Sequence, residues 1–291
     1  MSALADRSFT KMNGLGNEII VVDMRARAGV ITSAEARAAA KSPAGPYDQL
    51  MALHAPHIPG TDGYVRIYNC DGSEAEACGN GMRCVADLMF AETGKRALAF
   101  ETRAGVIECW KGATAHTCTV DMGQPRFAWN EIPLAHPLDD TTHLDIRMEP
   151  PGAAPLPPAC VLSIGNPHAV FFVDDLAAYD LRTLGPALEH HAIFPERANI
   201  SLAQVLSRSH LTVRTWERGA GLTRACGSAA CAAAVAAARL GRADRDTQVT
   251  LPGGDLHLEW RTRDDHVLMT GPVEYEHEGR FDGAFFKDPV S

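Results

Sequence analysis

A cysteine–glycine pair followed by a helix-forming run occurs twice in this chain, half a chain length apart. Ala77-Cys78-Gly79-Asn80 leads into Gly81 to Thr93 and is closed by Gly94; Ala225-Cys226-Gly227-Ser228 leads into Ala229 to Leu240 and is closed by Gly241. The two cysteines lie 148 residues apart in a chain of 291. A small-residue turn before such a run and a glycine after it are helix start and stop signals. Other pairs keep nearly the same offset: Gly16-Asn17 with Gly165-Asn166, Gly105 with Gly253, Trp110 with Trp260, and Met122-Gly123 with Thr270-Gly271. Several matches in one order at one spacing predict a duplicated unit. The expected fold is α/β, with two pseudo-symmetric domains. Each is a mixed, mostly antiparallel, barrel-like sheet of roughly eight strands wrapped around a central helix. A cleft between the domains is expected to receive both cysteine-bearing helix starts.

Local signals fill in this plan. Phe9 to Asp23 reads as strand, glycine turn and strand, and Thr32-Ser33-Ala34-Glu35 is a capping-box pattern ahead of an Ala-rich helix to about Lys41. An extended segment begins at Tyr47-Asp48-Gln49-Leu50, and Tyr64 to Tyr68 alternates as a strand before the turn at Asn69-Cys70-Asp71-Gly72. Ala97 to Met122 reads as a three-strand meander. From Pro125 to Pro158 the chain turns proline-rich, with Pro150-Pro151 and Pro157-Pro158, and is expected to be a long surface connection. Beyond it, Asp174 or Asp175 is placed to cap a helix to about Leu184, with Pro186 to His191 as a separate helical piece. His210 to Glu217 and the segments near Val249, Leu256 to Trp260 and His266 to Thr270 read as strands. The domains then span 1–122 completed by 273–291, and 123–272.

Composition excludes several classes. The net charge is −9 and no Lys/Arg run is long enough to track a phosphate backbone, so neither nucleic acid nor an anionic membrane is expected as partner. No apolar run reaches spanning length and the first residues lack a signal-peptide core, which points to a cytoplasmic protein. The eight cysteines are then expected as thiols rather than a disulfide frame, and their spacing contains no zinc pattern.

A cysteine at a helix start meets free N–H groups and the positive dipole end, which favour thiolate and attract an anion. Two such thiols suit inversion of a stereocentre: one removes a proton from one face and the other returns a proton to the opposite face. Helix-start N–H groups supply donors where the carbanion's charge develops. Nothing in the chain implies a pyridoxal cofactor or a metal. Five of the other six cysteines, Cys84, Cys109, Cys118, Cys160 and Cys231, fit small buried side chains. A redox pair is the competing use of two facing thiols.

Several stretches together resemble the diaminopimelate epimerases. They are Lys11-Met12 with Gly14-Leu15-Gly16-Asn17, Asn69 with Asp71-Gly72-Ser73-Glu74, and Cys78-Gly79-Asn80-Gly81 with Arg83-Cys84. In the second half they are Gly165-Asn166-Pro167-His168, Pro195-Glu196-Arg197-Ala198-Asn199-Ile200, Glu217-Arg218-Gly219 and Ala225-Cys226-Gly227-Ser228. The resemblance implies pyridoxal-independent interconversion of LL- and meso-2,6-diaminopimelate, in lysine and peptidoglycan precursor synthesis, by a homodimer. It makes Cys78 and Cys226 the acid/base thiols. Gly79, Asn80, Gly227 and Ser228 then hold the reacting carboxylate, while Asn69, Asn166, Asn199 and Arg218 fix the distal end of the substrate. Asn17 and Gln49 complete the pocket, and His168 and Glu217 tune the thiols or align substrate. The physical fit is sound: a zwitterion with two carboxylates and two ammoniums needs a fork donor and amides that both donate and accept.

The chain departs from the family pattern at five places: Asn13 for a usual His, Glu18 for Asp, Ala229 for Gly, Leu222 for an acidic residue, and His277 near a dimer-forming Tyr. The first two are expected to shift the first loop. The rival readings are a proline or hydroxyproline racemase with the same cysteine pair, and a non-catalytic thiol redox switch.

Overall fold

The computed structural model describes residues 2–26, 29–43, 45–146 and 156–286. The chain packs as two compact units, Met1–Val120 with Thr270–Ser291, and Asp121–Met269.

The first half runs β1 (Ser8–Asn13), β2 (Glu18–Asp23), α1 (Ser33–Ala40), β3 (Gln49–His54), β4 (Gly63–Asn69), β5 (Glu74–Ala75), α2 (Gly79–Thr93), β6 (Ala97–Thr102), β7 (Gly105–Lys111) and β8 (Thr117–Asp121). The second runs β9 (Ala159–Ser163), β10 (Pro167–Phe172), α3 (Leu181–Glu189), β11 (Asn199–Ser207), β12 (His210–Glu217), β13 (Gly221–Leu222), α4 (Gly227–Arg239), β14 (Asp246–Leu251), β15 (Gly254–Trp260) and β16 (Val267–Pro272). Among the described residues the order ββαβββαβββ therefore occurs twice, with eight strands in each copy. A final strand, β17 (Glu274–Arg280), pairs antiparallel with β1.

Strand pairing repeats as well. In the first copy β1–β2, β3–β4, β4–β5 and β6–β7 are antiparallel while β2–β3 and β4–β6 are parallel. The second copy reproduces each of these pairs in kind. Register makes the equivalence exact to the residue: Ile19 faces Gln49 across β2–β3, and His168 faces Asn199 across β10–β11. The expectation of a duplicated, sheet-dominated α/β fold around a central helix is met.

Not every matched pair holds that register. Trp110 faces Ala97, but Glu259 rather than Trp260 faces the corresponding Asp246, so Trp260 sits one residue on and points to the other face. Gly105 and Gly254, not Gly253, open equivalent strands, with φ of 120° and 138°. Met122-Gly123 follow β8, whereas Thr270-Gly271 lie inside β16. The match at Gly16 and Gly165 is sound: both have positive φ, 88° and 82°, a conformation that glycine adopts without a Cβ clash.

Two local expectations are corrected. The Pro125 to Pro158 stretch is not a surface connection throughout. Ile132 and Leu134 are buried in the core of the second unit with Val161, Phe171, Leu184 and Ile200, and Leu144 bridges to Ala159. Apolar side chains every few residues draw this connection inward. Pro150-Pro151 lie outside the described residues. In the next segment Asp175 caps only a short 3-10 turn, Leu176–Ala178. Asp180 caps α3, which runs through Pro186. The buried stripe Leu181, Leu184 and Leu188 keeps that helix continuous at the loss of one backbone hydrogen bond.

The central helices solve the same packing problem differently. α2 buries Met82, Val85, Met89 and Phe90, while α4 buries Ala229, Ala230, Ala232, Ala233, Val235, Ala236 and Ala237. α4 is enclosed by β9, β10, β11, β12, β14 and β15. Helix and sheet approach closely on several sides there, which a run of alanines allows.

Candidate active site

Cys78 is the N-cap residue of α2, and its Sγ accepts the Gly81 N–H at 3.3 Å. Gly81 permits this placement: a Cβ there would lie 2.5 Å from Met51 Sδ on β3. Three predicted residues gather around the thiol. Asn17 is delivered by the Gly14–Asn17 turn, closed by Gly14 N–H to Asn17 C=O at 2.9 Å, and Gln49 and Asn69 are paired across β3–β4. The Sγ approaches Gln49 Oε1 at 3.7 Å and Asn17 Oδ1 at 3.9 Å. Gln49 Nε2 donates to Asn69 Oδ1 at 3.3 Å. Gly79 and Asn80 form the first turn of α2, with the Asn80 side chain buried beneath Gly14.

Cys226 is the N-cap residue of α4 and 6% exposed. Its Sγ lies 3.5 Å from Ser228 Oγ, which accepts from Asn166 Nδ2 at 3.4 Å. Asn166 Oδ1 is 2.8 Å from His168 Nε2. An amide oxygen only accepts, so the neutral imidazole carries its proton on Nε2. Burial, with the nearby Arg218 charge, pushes the His168 pKa down to about 3. Its Nδ1 is buried and has no hydrogen-bond partner among the described residues. Asn199 is nearly fully buried and braces the loops: its Nδ2 donates to Pro167 C=O at 3.1 Å and its Oδ1 accepts the Arg218 N–H at 3.0 Å. The exposed Arg218 side chain donates from Nη1 to Glu196 C=O at 3.1 Å. Glu217 accepts from the Thr223 hydroxyl and hydrogen-bonds the Cys226 thiol.

In register, Asn17, Gln49, Asn69 and Cys78 correspond to Asn166, Asn199, Glu217 and Cys226. One position thus differs in charge: a neutral amide in the first unit and a carboxylate in the second. The expectation that a helix start favours the thiolate needs correcting at Cys226. Burial, reinforced by the Glu217 charge, raises its pKa well above the usual value, against the Ser228 and Ala229 hydrogen bonds. One turn of helix dipole does not offset removal of the sulfur from water.

Asp48 and Thr223 were not anticipated, and both touch this machinery: Asp48 accepts from Asn17 Nδ2 at 2.9 Å and Thr223 bonds Glu217. Asp48 precedes Gln49 directly, but its counterpart is Ala198, so a search for repeated residues passes over it. Among the described residues no group of three or more His, Cys, Asp or Glu side chains is placed to hold a metal ion. Among the described residues no helix is long and apolar enough to cross a membrane.

The family model described as diaminopimelate epimerase matches residues 9–128 and 160–276. The chain belongs to the diaminopimelate epimerase family. A diaminopimelate epimerase of Nitrobacter hamburgensis is 58% identical over 98% of this chain and 99% of its own. One of Rhodopseudomonas palustris strain BisB18 is 58% identical over the whole of both chains. Among solved structures, a hydroxyproline epimerase from Agrobacterium vitis covers 100% of this chain and 95% of its own, with a TM-score of 0.68 at 14% identity. A methylitaconate-delta-isomerase covers 100% and 99% with a TM-score of 0.64 at 12% identity. At those identities the likeness is one of fold.

The departures from the diaminopimelate epimerase pattern have local explanations. Asn13 and Glu18 answer each other: Asn13 Nδ2 donates to Glu18 Oε1 at 3.3 Å, and its Oδ1 accepts the Gly16 N–H at 2.5 Å. Glu18 also reaches the buried Lys11 at 2.6 Å, and Lys11 donates to Pro46 C=O. Leu222 packs on the core of the second unit, Ala229 is fully buried, and His277 stands edge-on to Phe9 at 6.1 Å.

Proposed function

We propose that this protein interconverts LL- and meso-2,6-diaminopimelate by proton transfer at one α-carbon, with Cys78 and Cys226 as the acid/base pair and no pyridoxal cofactor. The supporting observation is that two thiols occupy equivalent helix N-cap positions in a duplicated unit, each beside an equivalent set of polar side chains. In one direction a thiolate takes the α-hydrogen as a proton, and the C–H electron pair passes into the α-carbon and its carboxylate. The thiol of the other repeat then donates its proton to the opposite face. The first sulfur ends as thiol and the second as thiolate, so the reverse reaction uses the same groups with roles exchanged.

The residue roles follow from their chemistry. Helix-start N–H groups at Gly79-Asn80 and Gly227-Ser228 stabilise the charge on the reacting carboxylate. Asn69, Asn166, Asn199 and Arg218 read the distal amino-acid end, with Asn17 and Gln49 completing the pocket. A simpler amino acid leaves these groups unpaired, which disfavours its binding. His168 orients Asn166, and Glu217 keeps Cys226 protonated until the proton is needed. The reaction belongs to lysine and peptidoglycan precursor synthesis in the cytoplasm, where thiols stay reduced; a homodimer is the expected assembly.

Incubation in deuterated water tests this reading. Label is expected at the α-position of diaminopimelate without added cofactor, and the Cys78→Ala and Cys226→Ala variants are each expected to lose epimerisation. Exchange of proline but not diaminopimelate would instead support a racemase of the other substrate class. Epimerisation by both alanine variants would overturn the acid/base assignment.

A further inference from the structure

We propose that Asp48 is a positioning residue for Cys78: its carboxylate sets which way the Asn17 amide faces and so which atoms meet the sulfur. The Oδ2 of Asp48 accepts from Asn17 Nδ2 at 2.9 Å and from the Glu18 N–H at 2.8 Å. A carboxylate offers only acceptors, so Asn17 turns its NH2 group towards Asp48. The same NH2 reaches Gln49 Oε1 at 3.0 Å. Asn17 Oδ1 is left facing Sγ, at 3.9 Å.

The row continues with one polarity. Gln49 Nε2 donates to Asn69 Oδ1 at 3.3 Å, Asn69 Nδ2 to Ser73 Oγ at 3.0 Å, and the Ser73 hydroxyl to Asp71 Oδ1 at 2.6 Å. Acceptor-only carboxylates therefore stand at both ends and fix every amide between them. The result is that Cys78 Sγ meets two carbonyl oxygens, from Asn17 and Gln49. Carbonyl oxygens accept a hydrogen bond from a thiol and disfavour a thiolate.

The second unit orients its asparagine the other way. The counterpart of Asp48 is the buried Ala198, and the orienting group is His168, which donates to Asn166 Oδ1 at 2.8 Å. Asn166 consequently turns Nδ2 towards Ser228, at 3.4 Å. Asn17 thus turns its oxygen to Cys78, whereas Asn166 turns its NH2 to Ser228; the first rests against an acceptor-only carboxylate and the second against an imidazole. Its consequence for proton transfer rests on the acid/base reading of the two thiols, whereas the orientation itself is tested without substrate.

The experiment labels the full chain with iodoacetamide at one fixed pH, without substrate, and follows Cys78 and Cys226 separately by peptide mass spectrometry. In Asp48→Ala the Asn17 NH2 keeps only Gln49 Oε1 as acceptor, and the loosened amide can turn its NH2 to the sulfur. Cys78 is then expected to react about threefold faster or more, the gain in thiolate from a half-unit change in acidity, with Cys226 unchanged. The kcat/KM for diaminopimelate is expected to fall by about tenfold or more, as for loss of a charge-assisted hydrogen bond. Asp48→Asn keeps an oxygen for both donors and is expected to stay near wild type in both readouts. If Asp48→Ala does not fold, Asp48→Ser, which can donate as well as accept, is expected to accelerate Cys78 in the same sense. Unchanged or slower labelling of Cys78, or equal acceleration of both cysteines, overturns the proposal. Absence of epimerisation in the wild type with the labelling pattern intact would sink the functional reading and leave the orienting role of Asp48 standing.

Discussion

Cys78 and Cys226 share a place in the repeat but not an environment. Cys78 accepts a backbone N–H and faces two amide oxygens, whereas Cys226 is buried and faces the Glu217 carboxylate. Burial and the Glu217 charge hold Cys226 as thiol. His168 carries the same logic into stability. Its pKa is pushed down to about 3 by burial and by Arg218, against about 6.5 for an unfolded histidine. The unfolded chain therefore binds a proton that the native state refuses, so this contribution is complete above about pH 6.5 and is lost as pH falls towards 3. Between pH 6.5 and 4.5 it amounts to about 2 kcal/mol. Urea unfolding at those two pH values is expected to show a loss in the wild type larger by that amount than in His168→Gln. An equal pH dependence in both would contradict the burial of a neutral imidazole.

At the scale of elements, the site depends on how closely the first turn of each central helix can approach a strand. Gly81 lies so near Met51 that an added Cβ would sit 2.5 Å from its Sδ, and Met51 is itself fully buried. Gly81→Ala is expected to cost about 1–3 kcal/mol through overpacking, and to lower activity by moving Cys78 away from Gln49. Combined with Met51→Ala, the loss should be smaller than the sum of the two single losses; strict additivity would mean the contact does not set the helix position. The duplication was legible in the sequence because Gly16 and Gly165 occupy a left-handed conformation that few residues tolerate and because the two Cys-Gly pairs both start a helix. The tryptophans were misleading, since a strand side chain tolerates a one-residue slip in spacing that reverses its face. The continuation of α3 through Pro186 was hidden because the buried leucine stripe outweighs one missing bond. In the site, the cysteines and the Asn17–Asn166 pair were visible as repeated residues, while Gln49, Asn69, Asn80 and Asn199 came only through the resemblance to the family. Asp48 was not visible, having no counterpart, and the raised pKa of Cys226 was not, since burial is set by distant strands.

For the whole molecule, duplication and divergence together explain the chemistry. Twofold use of one ten-element unit supplies two thiols in equivalent positions. Divergence at Asn69 against Glu217, and at Asp48 against Ala198, makes their environments unequal. An epimerase of a two-centred substrate needs both properties: equivalent proton carriers at the reacting carbon and unequal groups to recognise the rest. The most direct test of this account follows the first turnovers in deuterated water, starting from pure LL-diaminopimelate. Two bases predict deuterium in the meso product with none in the recovered LL substrate, because the proton removed by one thiol is not the one returned by the other. Equal labelling of substrate and product from the outset would mean that a single group serves both faces, and would contradict the central claim.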